Sequence, residues 1–184
     1  MQEERQIQKR KCATRKKAAH RKTKLSTKRL KNDNNLINID MEIIKMSQGA
    51  YKKIMNYISA RPAESGGILL GPVGSNEVTD FYFDSGGTCT GATYSPDYRT
   101  LGKLMKEKWL PSGIDMKGFV HSHPGMLDWL TNGDMVYIDR LLDKNPDMDM
   151  FIAPIVIPDQ YRIRPIVVLR KQPRKALEAR IELF

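Results

Sequence analysis

Cysteine is scarce in this chain. Its 184 residues include only two cysteines, Cys12 and Cys89, and neither belongs to a Cys-x-x-Cys pair. This argues against a disulfide framework and against a cysteine-based structural zinc site. We therefore expect a reducing, cytoplasmic environment, with a nuclear location open if the source is eukaryotic.

Long apolar runs are also lacking. No stretch approaches the roughly 20 apolar residues that a membrane-spanning helix needs. The sequence starts with charged and amide residues, whereas a signal peptide has an apolar core. We expect neither a membrane span nor a secretory signal.

Acidic residues are nearly absent from the N-terminal segment. Residues 1–31 contain 13 Lys and Arg but 2 Asp and Glu, which leaves 18 basic and 19 acidic residues in the remainder. Asn32 to Asn35 is a turn-prone boundary. The pattern predicts a basic, flexible tail at residues 1–35 and a nearly neutral domain at 36–184.

The tail has a possible binding function of its own. Its charge at residues 1–31 suits nucleic acid, an acidic partner or an anionic membrane surface, and its Lys/Arg clusters suit a nuclear address. A run of charge is more often simply solvated, however. Residues 1–35 contain no aromatic side chain for base stacking, which argues against selective single-strand recognition.

Histidine is rare, and its placement is informative. Outside the tail the only two histidines are His121 and His123, in the sequence His-Ser-His-Pro. Alternate residues of a strand face the same side, so both rings can reach one point while Ser122 faces away. Pro124 is expected where the strand stops. Two hydrogen-bonded surface histidines are the structural alternative.

A carboxylate follows at the start of a predicted helix. Thr131-Asn132-Gly133-Asp134 precedes an apolar pattern of helical spacing, which predicts Asp134 in the first helical turn. Two imidazoles and a carboxylate are ordinary zinc ligands, and three protein ligands with one open position are typical of a catalytic site. Thr131 and Asp134 also fit a variant of the capping box, and the two roles are compatible.

The periodicities predict an α/β architecture. A first strand and a helix capped by Ser47 open the domain, and a second helix follows Ser95-Pro96. Residues 171–184 stay unassigned. The remaining predicted segments are strands at 67–71, 78–83, 116–121, 150–157 and 160–169, and a helix at 134–142.

Taken together, these residues resemble the signature of the JAMM/MPN (Mov34/PAD-1-like) zinc metalloproteases: an upstream glutamate, then His-x-His-Pro, then Ser-x-x-Asp. The matching positions are Glu64, His121, His123, Pro124, Thr131 and Asp134. The resemblance covers about residues 36–169 and is closest to deubiquitinase-type isopeptidases. It implies a mixed β-sheet flanked by helices, in a deaminase-like arrangement. One departure is that the family's serine is threonine here.

The resemblance also implies an activity. One zinc ion would be bound by His121, His123 and Asp134, Glu64 would act as general base and acid, and Thr131 would stabilise the oxyanion. From spacing alone, Glu64 is equally well a surface residue. Such enzymes cleave isopeptide or peptide bonds after the C-terminal glycine of ubiquitin or a ubiquitin-like modifier. Similar short proteins occur in bacterial modifier operons.

The substrate groove is expected between residues 86–109 and 125–130, where a Gly-Gly tail could bind by strand addition. Trp129 is a candidate substrate contact, although core packing is an equal alternative for it, as for Tyr94 and Tyr98. Asp84 has no matching context in the signature. Two other functional classes stay open: a metal-free MPN scaffold, and a protein that acts through its basic tail.

Overall fold

The computed structural model describes residues 41–61, 64–90, 93–125, 127–171 and 174–184. The predicted tail, 1–35, and the boundary at residue 36 lie outside the described residues. Among the described helices, none is long and apolar enough to cross a bilayer. The strands are β1 Glu42–Met46, β2 Gly66–Pro72, β3 Asp80–Phe83, β4 Thr88–Cys89, β5 Tyr94–Ser95, β6 Ile114–Ser122, β7 Met150–Ile152, β8 Ile155–Ile157, β9 Arg162–Arg164, β10 Ile166–Leu169 and β11 Ala176–Leu183. The α-helices are α1 Gln48–Ile58, α2 Tyr98–Leu104 and α3 Asn132–Lys144, and α2 continues through a π turn, Met105–Trp109, and a 3-10 turn, Leu110–Ser112.

The architecture is mixed α/β, with a curled mixed sheet and helices, so the predicted class is confirmed. The main sheet has the order β1-β11-β10-β7-β6-β2-β3, and β8 and β9 extend it from β6. The β1–β11, β6–β7 and β6–β8 pairs are parallel, and the other pairs are antiparallel. The hairpin β4–β5 forms a separate small sheet.

Alternate residues of the central strands supply two hydrophobic clusters. Leu69 and Val120 belong to the cluster that includes the apolar face of α1, whereas Ile68 and Phe119 belong to the cluster that includes α3. The period of two along a strand explains this division, because neighbouring residues face opposite sides of a sheet. The sheet is therefore buried by helices on both faces.

Strand β6 is the element that carries the histidines. It pairs with β2 along most of its length and then runs parallel to two short strands, with Gly118 opposite Ile152 and His121 opposite Ile155. Gly118 has a φ of 150°, and a Cβ there would lie 1.8 Å from the Ile152 carbonyl oxygen. Glycine at this position permits the close approach of β6 and β7.

Several predicted elements match the structure. The helix after Ser47 is confirmed as α1, and the Ser47 hydroxyl accepts a hydrogen bond from the Ala50 N–H (3.1 Å). The predicted continuous strands at 150–157 and 160–169 are wrong in extent. Each is two short strands, because Pro154 and Pro165 cannot donate to a ladder. The unassigned C-terminal segment contains β11.

Candidate metal centre

The pairing of β2 with β6 brings Glu64 to the histidines. Gly66 lies opposite His121. Just beyond this pair, the Ser65 N–H donates to the Ser122 hydroxyl (3.0 Å) and the Ser122 N–H donates to the Ser65 carbonyl (2.9 Å). Ser122 is fully buried, on the opposite side from the histidines. Glu64 is therefore anchored beside the end of β6.

The two imidazole rings approach each other through their Nε2 atoms. The Nε2 atoms of His121 and His123 are 2.8 Å apart, and both side chains are almost completely buried. This distance is within hydrogen-bonding range when one of the two nitrogens carries a proton. With both nitrogens unprotonated, the same proximity brings two metal-binding atoms to one place.

Helix α3 brings a carboxylate to that point. Asp134 Oδ1 lies 3.4 Å from His121 Nε2, and Asp134 Oδ2 lies 3.6 Å from His123 Nε2. Asp134 occupies the first turn, at the end where the helix leaves backbone N–H groups unpaired and an acidic side chain is stabilised. The three side chains thus meet between the end of β6 and the start of α3.

Thr131 completes a capping box around this carboxylate. Its N–H and its hydroxyl both donate to Asp134 Oδ2 (2.7 Å each), and its hydroxyl oxygen accepts from the Asp134 N–H (3.2 Å). The hydroxyl proton is therefore directed at Asp134. Donation from Thr131 to an oxyanion stays a prediction. What the geometry provides is a fixed orientation for Asp134.

Glu64 lies close to the ring pair. It is buried, and one carboxylate oxygen of Glu64 and the ligand nitrogens of His121 and His123 all lie within 4.8 Å of one another. The backbone N–H of Tyr94 is near enough to the carboxylate to lower the pKa of Glu64. Glu64 can therefore contact a ligand held by the other three groups, or bind an ion directly.

The donor set fits zinc. Ligand atoms about 2.0–2.2 Å from a tetrahedral zinc lie about 3.4 Å from one another. The two Nε2 atoms are 2.8 Å apart, His121 Nε2 is 3.4 Å from Asp134 Oδ1, and His123 Nε2 is 3.6 Å from Asp134 Oδ2. These values lie near the tetrahedral one, and shifts of the rings and of the carboxylate would bring one Asp134 oxygen to the ion.

The ionisation states suit metal binding as well. Burial and the neighbouring His121 lower the pKa of His123 to about 4, although Asp134 opposes this. Burial would raise the pKa of Asp134, but hydrogen bonds and charge from His121 and hydrogen bonds from Thr131 outweigh it and lower this pKa to about 2. Near neutral pH both groups are therefore in the deprotonated forms that bind metals.

The pKa of Glu64 shifts in the opposite direction. Burial raises it, the charge of Asp134 adds to the shift, and His121 and the Tyr94 N–H oppose it. A raised carboxyl pKa is typical of a group that exchanges protons with a reacting species.

A pocket of about 260 Å³ opens at this centre. Its walls come from residues 93–98 on one side and from the start of α3 on the other, and its apolar lining is largely aromatic: Tyr94, Tyr98, Phe119 and Tyr137. The first wall lies within the predicted groove. Tyr137 was missed by the sequence analysis, although its position three residues after Asp134 puts it on the same helical face.

Trp129 lies elsewhere. It packs against the cluster that includes α3, and the Arg164 guanidinium lies 5.6 Å from its ring. Asp128 pairs with Arg162 (3.2 Å). Among the described residues, the 125–130 loop contributes no wall to the pocket. The structure does not bring Trp129 to the centre, and its contact with substrate stays a prediction.

Comparison with known proteins gives a fold and no function. No family model matches the chain, and no curated protein matches it. Among solved structures, the solution structure of protein DSY2949 from Desulfitobacterium hafniense is similar, with a TM-score of 0.57 and 19% sequence identity. The match covers 77% of this chain and 92% of that protein. At this identity the likeness shows a shared fold alone.

Proposed function

We propose that the described domain is a zinc-dependent hydrolase of the JAMM/MPN type. The observation that carries this proposal is the convergence of His121, His123 and Asp134 within 3.6 Å, with the buried Glu64 beside them. A capping box alone would not require two buried imidazoles to face its carboxylate. The mixed sheet flanked by helices is compatible with the arrangement that the resemblance implies.

Each residue has a role in this proposal. His121, His123 and Asp134 hold the ion, and Thr131 orients Asp134. Zinc, when bound, supplies a water molecule whose pKa is lowered to about 7 and polarises the scissile carbonyl. Glu64 accepts the proton of the attacking water and delivers it to the departing amine. We keep Thr131 as the candidate oxyanion donor, which requires its proton to turn from Asp134 during the reaction.

The proposed substrates are conjugates or fusions of ubiquitin or a ubiquitin-like modifier, cut after the C-terminal glycine. This substrate class follows from the sequence resemblance. The pocket at the centre, with its aromatic residues Tyr94 and Tyr137, offers a place for the end of a peptide chain. The amine side of the bond would be a lysine or the next residue of a fusion.

A panel of modifier fusions and lysine conjugates tests the proposal. The zinc-loaded full chain is expected to release at least one modifier, whereas Glu64→Ala releases none and keeps its metal. Release of every modifier at equal rates by both proteins would contradict the assignment. A chain that binds no zinc and cuts no substrate would indicate the metal-free scaffold alternative.

A further inference from the structure

Asp84 is a buried carboxylate for which the proposed reaction has no use. It is 3% exposed, and its Oδ2 accepts hydrogen bonds from the Tyr94 hydroxyl (2.8 Å) and from the Asp97 N–H (2.9 Å). No lysine or arginine of the described ranges forms an ion pair with it. Burying a carboxylate costs free energy unless hydrogen bonds compensate for it. These two hydrogen bonds therefore hold the Tyr94 hydroxyl and the Asp97 N–H firmly in place.

The Tyr94 ring lies in a slot formed by two glycines. A Cβ on Gly66 would lie 2.4 Å from the ring, and a Cβ on Gly87 would lie 2.7 Å from both the ring and Asp84 Oδ2. The ring therefore packs directly on bare backbone at the start of β2. This contact is adjacent to the segment that carries Glu64.

Tyr94 touches the proposed centre in two ways. Its ring stacks beside His121, with centroids 6.4 Å apart and an angle of 25° between the planes. Its backbone N–H is near enough to the Glu64 carboxylate to lower the pKa of that group. One residue thus packs beside a ring that would bind the ion and borders the carboxylate that would move the proton.

We propose that Asp84 and Tyr94 are positioning residues for the proposed hydrolysis. Asp84 fixes the Tyr94 ring in its slot against Gly66 and beside His121. The ring in turn supports the start of β2, and with it the segment that places Glu64 beside the histidines. The inference rests on the proposed function, because it assigns the pair to that same site. Neither side chain has to contact the substrate for this role.

Kinetics of Tyr94→Phe and Asp84→Asn test the role. We expect kcat to fall about 10- to 100-fold, as for other groups that orient catalytic residues, while KM and zinc affinity change less than about twofold. Tyr51→Phe and Asp80→Asn, outside the site, serve as matched controls with unchanged kcat. An unchanged kcat in both Tyr94→Phe and Asp84→Asn, or a loss that is explained by weaker zinc binding, would overturn the proposal.

Hydrogen exchange provides a test without catalysis. In the full chain, with or without zinc, the Ser122 N–H that donates to the Ser65 carbonyl beside Glu64 should be protected, and its exchange should quicken about tenfold or more in Asp84→Asn and Tyr94→Phe. The two control variants should leave it unchanged. Equal exchange in all five proteins would overturn the positioning role even if the hydrolysis is found. Conversely, if no substrate is cleaved but the exchange rates change as predicted, the hydrolase proposal is refuted while the structural role of Asp84 and Tyr94 is supported.

Discussion

Thr131 has two hydrogen-bonding roles that the structure shows directly. Its hydroxyl both caps α3 and donates to Asp134. We expect Thr131→Val to lower the free energy of unfolding by about 1 kcal/mol, through loss of the cap. It should also weaken zinc binding about 10- to 100-fold, through loss of the bond to a ligand.

Thr131→Ser is the control for this prediction. Serine keeps the hydroxyl and is at least as good a helix cap, so stability and zinc affinity should be close to those of the original chain. Urea unfolding and zinc titration measure the two effects. A Thr131→Val protein that equals Thr131→Ser in both would show that the capping box does not support Asp134.

Lys117 allows a prediction of pH dependence. It is buried on β6, and burial lowers the pKa of its ammonium group, although Asp115 opposes this. The unfolded chain therefore binds the proton more tightly than the folded one. The cost to stability is fully present below the lowered pKa and disappears as the pH rises to the ordinary value of 10.5.

Lys117→Met should consequently be more stable than the original chain near neutral pH. The difference in the free energy of unfolding should shrink as the pH rises above 10.5. Urea unfolding of both proteins near neutral pH and above pH 10.5 measures this difference. A difference that stays constant, or that grows with pH, would contradict the assigned cost of burial.

At the level of strands, the junction of β6 with β7 depends on Gly118. An alanine there would put its Cβ into the Ile152 carbonyl group, at a φ of 150° that side chains rarely adopt. We expect Gly118→Ala to lose at least about 3 kcal/mol of stability, because neither strand can move without breaking the sheet.

Gly102 is the matched position for this test. It lies in α2, and a Cβ would meet nothing within 4 Å. Gly102→Ala should be neutral or stabilise by about 0.5–1 kcal/mol, since alanine is the better helix former. Thermal or urea unfolding of both variants decides the matter. Similar stability of the two would mean that the β6–β7 contact is looser than described.

Local patterns predicted the local elements. The spacing of His121 and His123, the first-turn position of Asp134 and the cap of α1 each depend on a few neighbouring residues, so the sequence is informative about them. The position of Glu64 depends on the register of β2 against β6, which joins residues more than fifty positions apart in the chain. Only the family resemblance singled it out.

Two features escaped prediction for physical reasons. The proline breaks within 150–157 and 160–169 were missed because the apolar pattern continues across Pro154 and Pro165 while the ladder does not. The bond from Tyr94 to Asp84 spans a glycine-rich loop, where periodicity gives no signal. Tertiary packing decides only the second, whereas the two prolines were a local signal for the strand breaks.

For the whole chain, the uneven charge separates two functional classes. The net positive charge of the chain lies in residues 1–31, whereas the net charge of the remainder is close to zero. A hydrolase should keep its kcat when residues 1–35 are removed, because every residue assigned to the centre lies in the unit Met41–Phe184. Binding to nucleic acid or to an acidic partner should instead be lost, most clearly at low salt.

Comparison of cleavage and of nucleic-acid binding in the full and shortened chains measures this. Loss of hydrolysis on truncation, with zinc still bound, would show that the tail takes part in the reaction. Retained nucleic-acid binding by the shortened chain would contradict the prediction that residues 1–35 carry the binding.

Metal content measured together with cleavage tests the proposed centre most directly. The original chain, Glu64→Gln and His123→Ala would each be loaded with zinc, dialysed and analysed for bound metal and for cleavage of a modifier fusion. We predict one zinc ion in the first two proteins and none in His123→Ala. Only the original chain should cleave, with the loss in Glu64→Gln about 10²- to 10⁴-fold. Equal turnover by all three proteins, or an original chain that binds no zinc, would contradict the account.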